Sequence, residues 1–173
     1  VDEAHSIGTI GRTGRGIQEY FDLRPDDVDF WMGTLSKSLA SNGGYIAGKR
    51  TLIDYLRYTT PGFVYAAGIT PANTAAALAS IDLLRASYTN VIKLQQNADY
   101  FRSLAKMLRL NIGPSKDTPI VPVIVGNAET ALQLANLLYC DGINVHPMFY
   151  PSVPMGEARL RFFISSEHTH EDI

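Results

Sequence analysis

Two hydrophobic periods alternate along the chain, and this alternation limits the possible folds more than any other feature. Val91, Leu94, Ala98, Phe101, Ala105 and Leu108 recur in steps of three and four, the spacing of one helical face. Residues 111–119 form a linker rich in turn formers. Beyond it, residues 120–125 read as a strand, 128–139 as a helix capped by Asn127, 143–146 as a strand and 158–164 as a last strand. Ala131, Leu134, Ala135 and Leu138 give that helix an apolar face, and Gly142 suits its stop. Upstream, residues 28–32 read as a short buried strand, 33–42 as a polar loop, 43–47 as a strand and 51–58 as a helix. Thr70 and Pro71 carry the start chemistry of a further helix, whose predicted apolar face is Ala72, Ala75, Ala76, Ala79 and Leu83. Strands alternating with helices predict an α/β architecture. A composition shift at residues 86–90 predicts two lobes, 1–86 and 87–173. Thr169 carries another helix start signal, so a terminal helix is expected to follow it.

A chain of 173 residues can bury a sizeable core. With 15 Lys and Arg against 17 Asp and Glu, its net charge of -2 excludes a strongly basic nucleic-acid binder. The one cysteine, Cys140, excludes a disulfide framework and a multi-cysteine zinc cluster. No stretch reaches the roughly 18 apolar residues of a membrane span. No signal-peptide pattern opens the chain, and these features together point to the cytoplasm. The opening Val1-Asp2-Glu3-Ala4-His5 reads as the end of a buried strand, so the sequence reads as a piece of something longer.

Several motifs invite a chemical reading. The glycines of residues 8–16 (GTIGRTGRG) form a loop, but their spacing is not the dinucleotide fingerprint, and no glycine-rich loop ends in Gly-Lys-Ser/Thr. His168 and His170 sit in a polar stretch that reads as a solvated helix start, so no metal site is expected. Lys37 is more informative. It follows a buried strand, between small hydroxyl residues, while Asp2 and His5 stand at the end of another strand. Strand ends are where α/β sheets bind ligands. A lysine for a Schiff base, an Asp for a pyridine nitrogen and hydroxyls for a phosphate are what pyridoxal phosphate (PLP) needs.

Five motifs in order then carry a resemblance: VDEAHSIG (residues 1–8), GRG (14–16), GTLSKS (33–38), GGYIAG (43–48), and FYPSVP with ARLRFFIS (149–154, 158–165). The chain resembles the C-terminal portion of the α-oxoamine synthases, a branch of the fold-type-I PLP-dependent transferases. That resemblance implies that residues 1–86 belong to the large PLP-binding domain and 87–173 to the small C-terminal α/β domain. By motif, Asp2 would pair with the pyridine nitrogen, His5 with the phenolic oxygen and Thr34 with the phosphate. Lys37 would form the internal aldimine and move the α-proton. Arg161 would clamp the substrate carboxylate. Arg159 shares the strand parity of Arg161, and spacing alone leaves both open.

The implied reaction is a decarboxylative condensation of an amino acid with an acyl-CoA to an α-amino ketone. The alternatives are another fold-type-I reaction, such as an aminotransferase, or a non-catalytic fragment or partner subunit. The retained Lys37, Asp2 and Arg161 argue against a non-catalytic role. The resemblance also implies a homodimer. The family's N-terminal half, with the histidine that stacks on PLP, lies outside these 173 residues, so they are expected to be inactive alone. Relatives also carry hydroxyl or amide side chains where Ala66, Ala67 and Gly68 stand, so no phosphate role is carried onto that segment.

Overall fold

Two separate sheets organise the chain in the computed structural model, which describes Val1–Ile173. They belong to two compact units, Val1–Ile92 and Lys93–Ile173. The boundary between these units lies inside a continuous helix, α5 (Thr89–Met107).

In the first unit, β1 (Phe30–Thr34) pairs antiparallel with β2 (Gly44–Gly48), from Phe30 opposite Gly48 to Thr34 opposite Gly44. β1 therefore begins later than the expected 28–32 and takes in Gly33 and Thr34. The ladder with β2 decides this: Gly33 is buried opposite Tyr45, whose ring occupies the space a Cβ at 33 would need. The segment around Asp2 runs parallel to β1 through a bridge to Met32. Met32 N–H donates to Val1 O at 2.9 Å, and Glu3 N–H donates to Met32 O at 2.6 Å.

A short α1 (Ile17–Tyr20) follows the glycine loop. Then come α2 (Arg50–Thr59), α3 (Pro61–Val64) and α4 (Pro71–Ala86). Thr70 caps α4 by accepting Asn73 N–H at 3.3 Å. Its expected face holds only at Ala76, which is half-buried. Ala77 is the buried residue, flanked by half-buried Asn73, Ala76, Ser80 and Leu84, while Ala72, Ala75, Ala79 and Leu83 are exposed. Alanines all round the helix leave its apolar direction unmarked in sequence.

The second unit is a three-stranded antiparallel sheet in the order β3 (Ile120–Gly126), β5 (Ala158–Phe163), β4 (His146–Met148). α5 and α6 (Ala128–Cys140) supply its helices. Ala98, Ala105, Val121, Val123, Ala135, Val145 and Leu160 are buried in one core. The stripe on α5 holds except at Leu108, which lies beyond the helix end and is exposed. On α6, Ala131 and Ala135 are buried, and Leu134 and Leu138 pack against the core. Asn127 Oδ1 caps it, accepting Glu129 N–H at 2.8 Å and Thr130 N–H at 3.2 Å. β4 begins later than the expected 143–146, because pairing with β5 sets it: His146 faces Arg161 and Met148 faces Arg159.

After β5, Thr169 N–H and Oγ1 both donate to Asp172 Oδ2, at 2.7 and 2.8 Å, and Asp172 N–H donates back to Thr169 Oγ1. The start signal is thus a reciprocal capping arrangement, of the kind that opens helices. No helix of the structure is long and apolar enough to cross a membrane.

Candidate active site

Four of the five expected site residues, Asp2, His5, Thr34 and Lys37, lie in the first unit. Two segments carry them. Asp2 sits where the opening segment ends its pairing with β1, and Ala4 N–H donates to its Oδ1 at 2.7 Å. A carboxylate that accepts a backbone N–H is held in one orientation. His5 follows in the turn after it, with its carbonyl accepting Thr9 Oγ1 at 2.7 Å. Asp2 and His5 are both exposed.

Thr34 closes β1, and Lys37 stands exposed in the bend beyond it. Three backbone bonds shape that bend: Leu35 N–H to Gly43 O at 2.9 Å, Ala40 N–H to Lys37 O at 3.0 Å and Ser41 N–H to Leu35 O at 2.8 Å. Thr34 Oγ1 lies 2.7 Å from Ser36 Oγ, so two hydroxyls sit side by side just before Lys37. A cavity of about 710 Å³ opens beside Thr34, lined among others by Met32, Tyr45, Ile53 and Phe63.

What ties the two segments together is not in the expected set. Ser38, the neighbour of Lys37, donates through Oγ to Ile7 O at 2.6 Å. Gly8 makes that approach possible: a Cβ there would lie 2.6 Å from Ser38 Cβ, and its φ of +80° is one that side chains rarely adopt. Glu3 ties the opening segment to the glycine loop instead. It is only 3% exposed, and both its carboxylate oxygens accept Ile17 N–H at 3.0 Å, which pins the end of the glycine loop against the strand that carries Asp2. The acidic residue between Asp2 and Ala4 is visible in sequence, but its inward direction follows from strand pairing alone. Tyr45, packed over Gly33, is pushed above its ordinary phenol pKa by burial and by the charge of Glu3.

Arg161 lies on β5 of the second unit. The two arginines that spacing left open have different partners. Arg159 Nη2 is 2.7 Å from Glu157 Oε2, and its Nε donates to Glu157 O at 2.9 Å. Arg161 Nη1 donates to Met148 Sδ at 3.9 Å, and its guanidinium lies over the Phe163 ring, 4.8 Å from the centroid. His168 Nδ1 accepts Ser165 N–H at 3.2 Å, and His170 stacks on Tyr100 with centroids 4.3 Å apart. No group of three or more His, Cys, Asp or Glu side chains is placed to hold a metal ion.

Comparison with known proteins matches this arrangement to one family. Residues 1–173 match aminotransferase class I and II. The chain is 45% identical over 173 residues to an 8-amino-7-oxononanoate synthase of Fervidobacterium nodosum, covering 100% of this chain and 43% of that protein. It is 37% identical over 179 residues to serine palmitoyltransferase 2 of Dictyostelium discoideum, covering 100% of this chain and 36% of that one. A solved serine palmitoyltransferase with PLP as internal aldimine superposes with a TM-score of 0.90 at 30% identity, over 99% of this chain and 43% of that one. The chain thus spans less than half the length of the curated relatives it matches. With the family pattern matched from its first residue to its last, the chain belongs to the aminotransferase class I and II family, among relatives named 8-amino-7-oxononanoate synthase and serine palmitoyltransferase.

Proposed function

We propose that the protein carrying this chain is a PLP-dependent C-acyltransferase that joins an amino acid to an acyl-CoA, releasing carbon dioxide and coenzyme A and yielding an α-amino ketone. One observation carries the reading: the segment holding Asp2 and His5 and the loop holding Thr34 and Lys37 are bonded side by side, through Glu3 N–H to Met32 O and Ser38 Oγ to Ile7 O. The residue types fit PLP. A carboxylate, a hydroxyl pair and a primary amine stand on two adjoining segments, and the Asp2 carboxylate is already oriented by Ala4 N–H.

Bound there, PLP supplies the electron sink that makes an amino-acid α-carbon acidic. The protein's own groups do the rest. Lys37 holds the cofactor through its amine and then takes and returns the α-proton. Asp2 keeps a proton on the ring nitrogen. His5 hydrogen-bonds the phenolic oxygen, and Thr34 the phosphate. Arg161 binds the substrate carboxylate as a bidentate partner. The lobe 1–86 serves as part of the PLP-binding domain and 87–173 as the small domain. The working enzyme is a cytoplasmic homodimer.

The test is an absorbance spectrum after PLP addition, with and without Lys37→Ala. The expected outcome is a band near the visible edge that borohydride abolishes and that Lys37→Ala lacks. A band of equal strength in the variant would overturn the assignment of Lys37. Carbon dioxide release that requires an acyl-CoA then separates this reaction from transamination.

A further inference from the structure

We infer that Phe163 is a positioning residue that sets the Arg161 guanidinium for the substrate carboxylate. The inference rests on the carboxylate role proposed above for Arg161. β5 sorts its side chains by alternation. Ala158 and Leu160 are buried, and Phe162 packs against Phe101 with centroids 5.0 Å apart. Arg159, Arg161 and Phe163 take the other parity and so share the opposite face. Phe163 is 51% exposed, so core packing within this chain does not explain a phenylalanine there. Its neighbour does. The Arg161 Cζ lies 4.8 Å from the ring centroid, inside the roughly 6 Å reach of a cation–π contact.

From β4, Met148 adds a soft contact through Sδ, 3.9 Å from Arg161 Nη1. Ring and thioether are both neutral. Together they restrict where the guanidinium sits. A guanidinium held against a ring keeps its planar N–H fork in fewer orientations. A bidentate carboxylate requires that fork. Removing the ring lets the side chain sample other rotamers, and the carboxylate then has to select the productive one.

The experiment uses the complete PLP-loaded protein. L-Alanine and L-serine are titrated against the cofactor spectrum, beside ethylamine and ethanolamine, which lack the carboxylate. In Phe163→Leu the Kd of both amino acids is expected to rise about two- to fivefold. The Kd of both amines should stay within twofold, since nothing in them meets Arg161. Phe163→Tyr, which keeps the ring, should restore the amino-acid values. Phe163→Thr, suited to a strand, repeats the test if leucine disturbs folding. Unchanged amino-acid Kd values, an equal rise for the amines, or no restoration by tyrosine would each overturn the proposal. Arg161→Gln tells the two readings apart. If it raises the amino-acid Kd while Phe163→Leu does not, only the positioning role fails. If it leaves that Kd unchanged, the role of Arg161 fails and the positioning role with it.

Discussion

Glu19 shows how a single residue can set the shape of the glycine loop. Its carboxylate accepts Thr13 N–H and Thr13 Oγ1, each at 2.9 Å, and Arg15 N–H at 3.2 Å. Burial by itself would raise its pKa. The bonds from Thr13 and Arg15 and the charge of Arg12 outweigh burial and hold the carboxyl below its ordinary 4.5. A carboxyl that is more acidic in the fold than in the unfolded chain contributes stability above its unfolded pKa, and that contribution is lost as pH falls through the folded value. The stability gap between the native protein and Glu19→Gln is therefore expected to be full at neutral pH and to shrink below about 4.5. Urea midpoints at neutral pH and in acid check this, and a gap that does not change with pH would contradict it. At this scale the sequence was partly legible. As proposed site residues, Asp2, His5, Thr34 and Lys37 follow from motif and residue chemistry. Glu3, Ser38 and Glu19 do not, because their partners Ile17, Ile7 and Thr13 are brought to them by the turns of the loop.

At the scale of elements, α6 is the clearest case of local chemistry. Its cap is one side chain bonded to two N–H groups that would otherwise lack helical partners. Asn127→Ala is expected to lower stability by about 1 kcal/mol, and Asn127→Asp by much less. Thermal melts followed by circular dichroism read both changes. Equal melting for Asn127→Ala and the native protein would show that the cap does not limit the helix. Helices with polarised faces, α5 and α6, were legible with their buried sides. α4 was legible as a helix but not in its orientation, since Ala77 differs from its alanine neighbours only in what packs on it. Strand limits moved for the same reason. β1 reaches Thr34 and β4 begins at His146 because their partners in β2 and β5 lie opposite those residues.

Across these 173 residues, burial is unevenly shared. The hydrophobic core cluster belongs to the second unit, where β5 is flanked by a strand on each side. The first unit has a two-stranded sheet, with Met32 and Ile46 exposed on it and Tyr55, Phe63 and Tyr65 exposed on or beside its helices. Few buried contacts mean low free energies of local opening. In this chain by itself, amide protons of β5 are expected to outlast those of β1 and β2 in hydrogen exchange. Equal protection of the two sheets would overturn this.

The sequence by itself determined the periods of the elements, the caps at Thr70 and Asn127 and the order of the motifs, because each depends on residues close together along the chain. The tertiary structure alone decided which face of α4 turns inward, that Glu3 pins the glycine loop, that Ser38 reaches Ile7, and that Glu157 engages Arg159 while Phe163 underlies Arg161. Those outcomes depend on strand pairing and turn geometry, which fix the direction of a side chain only when distant segments meet.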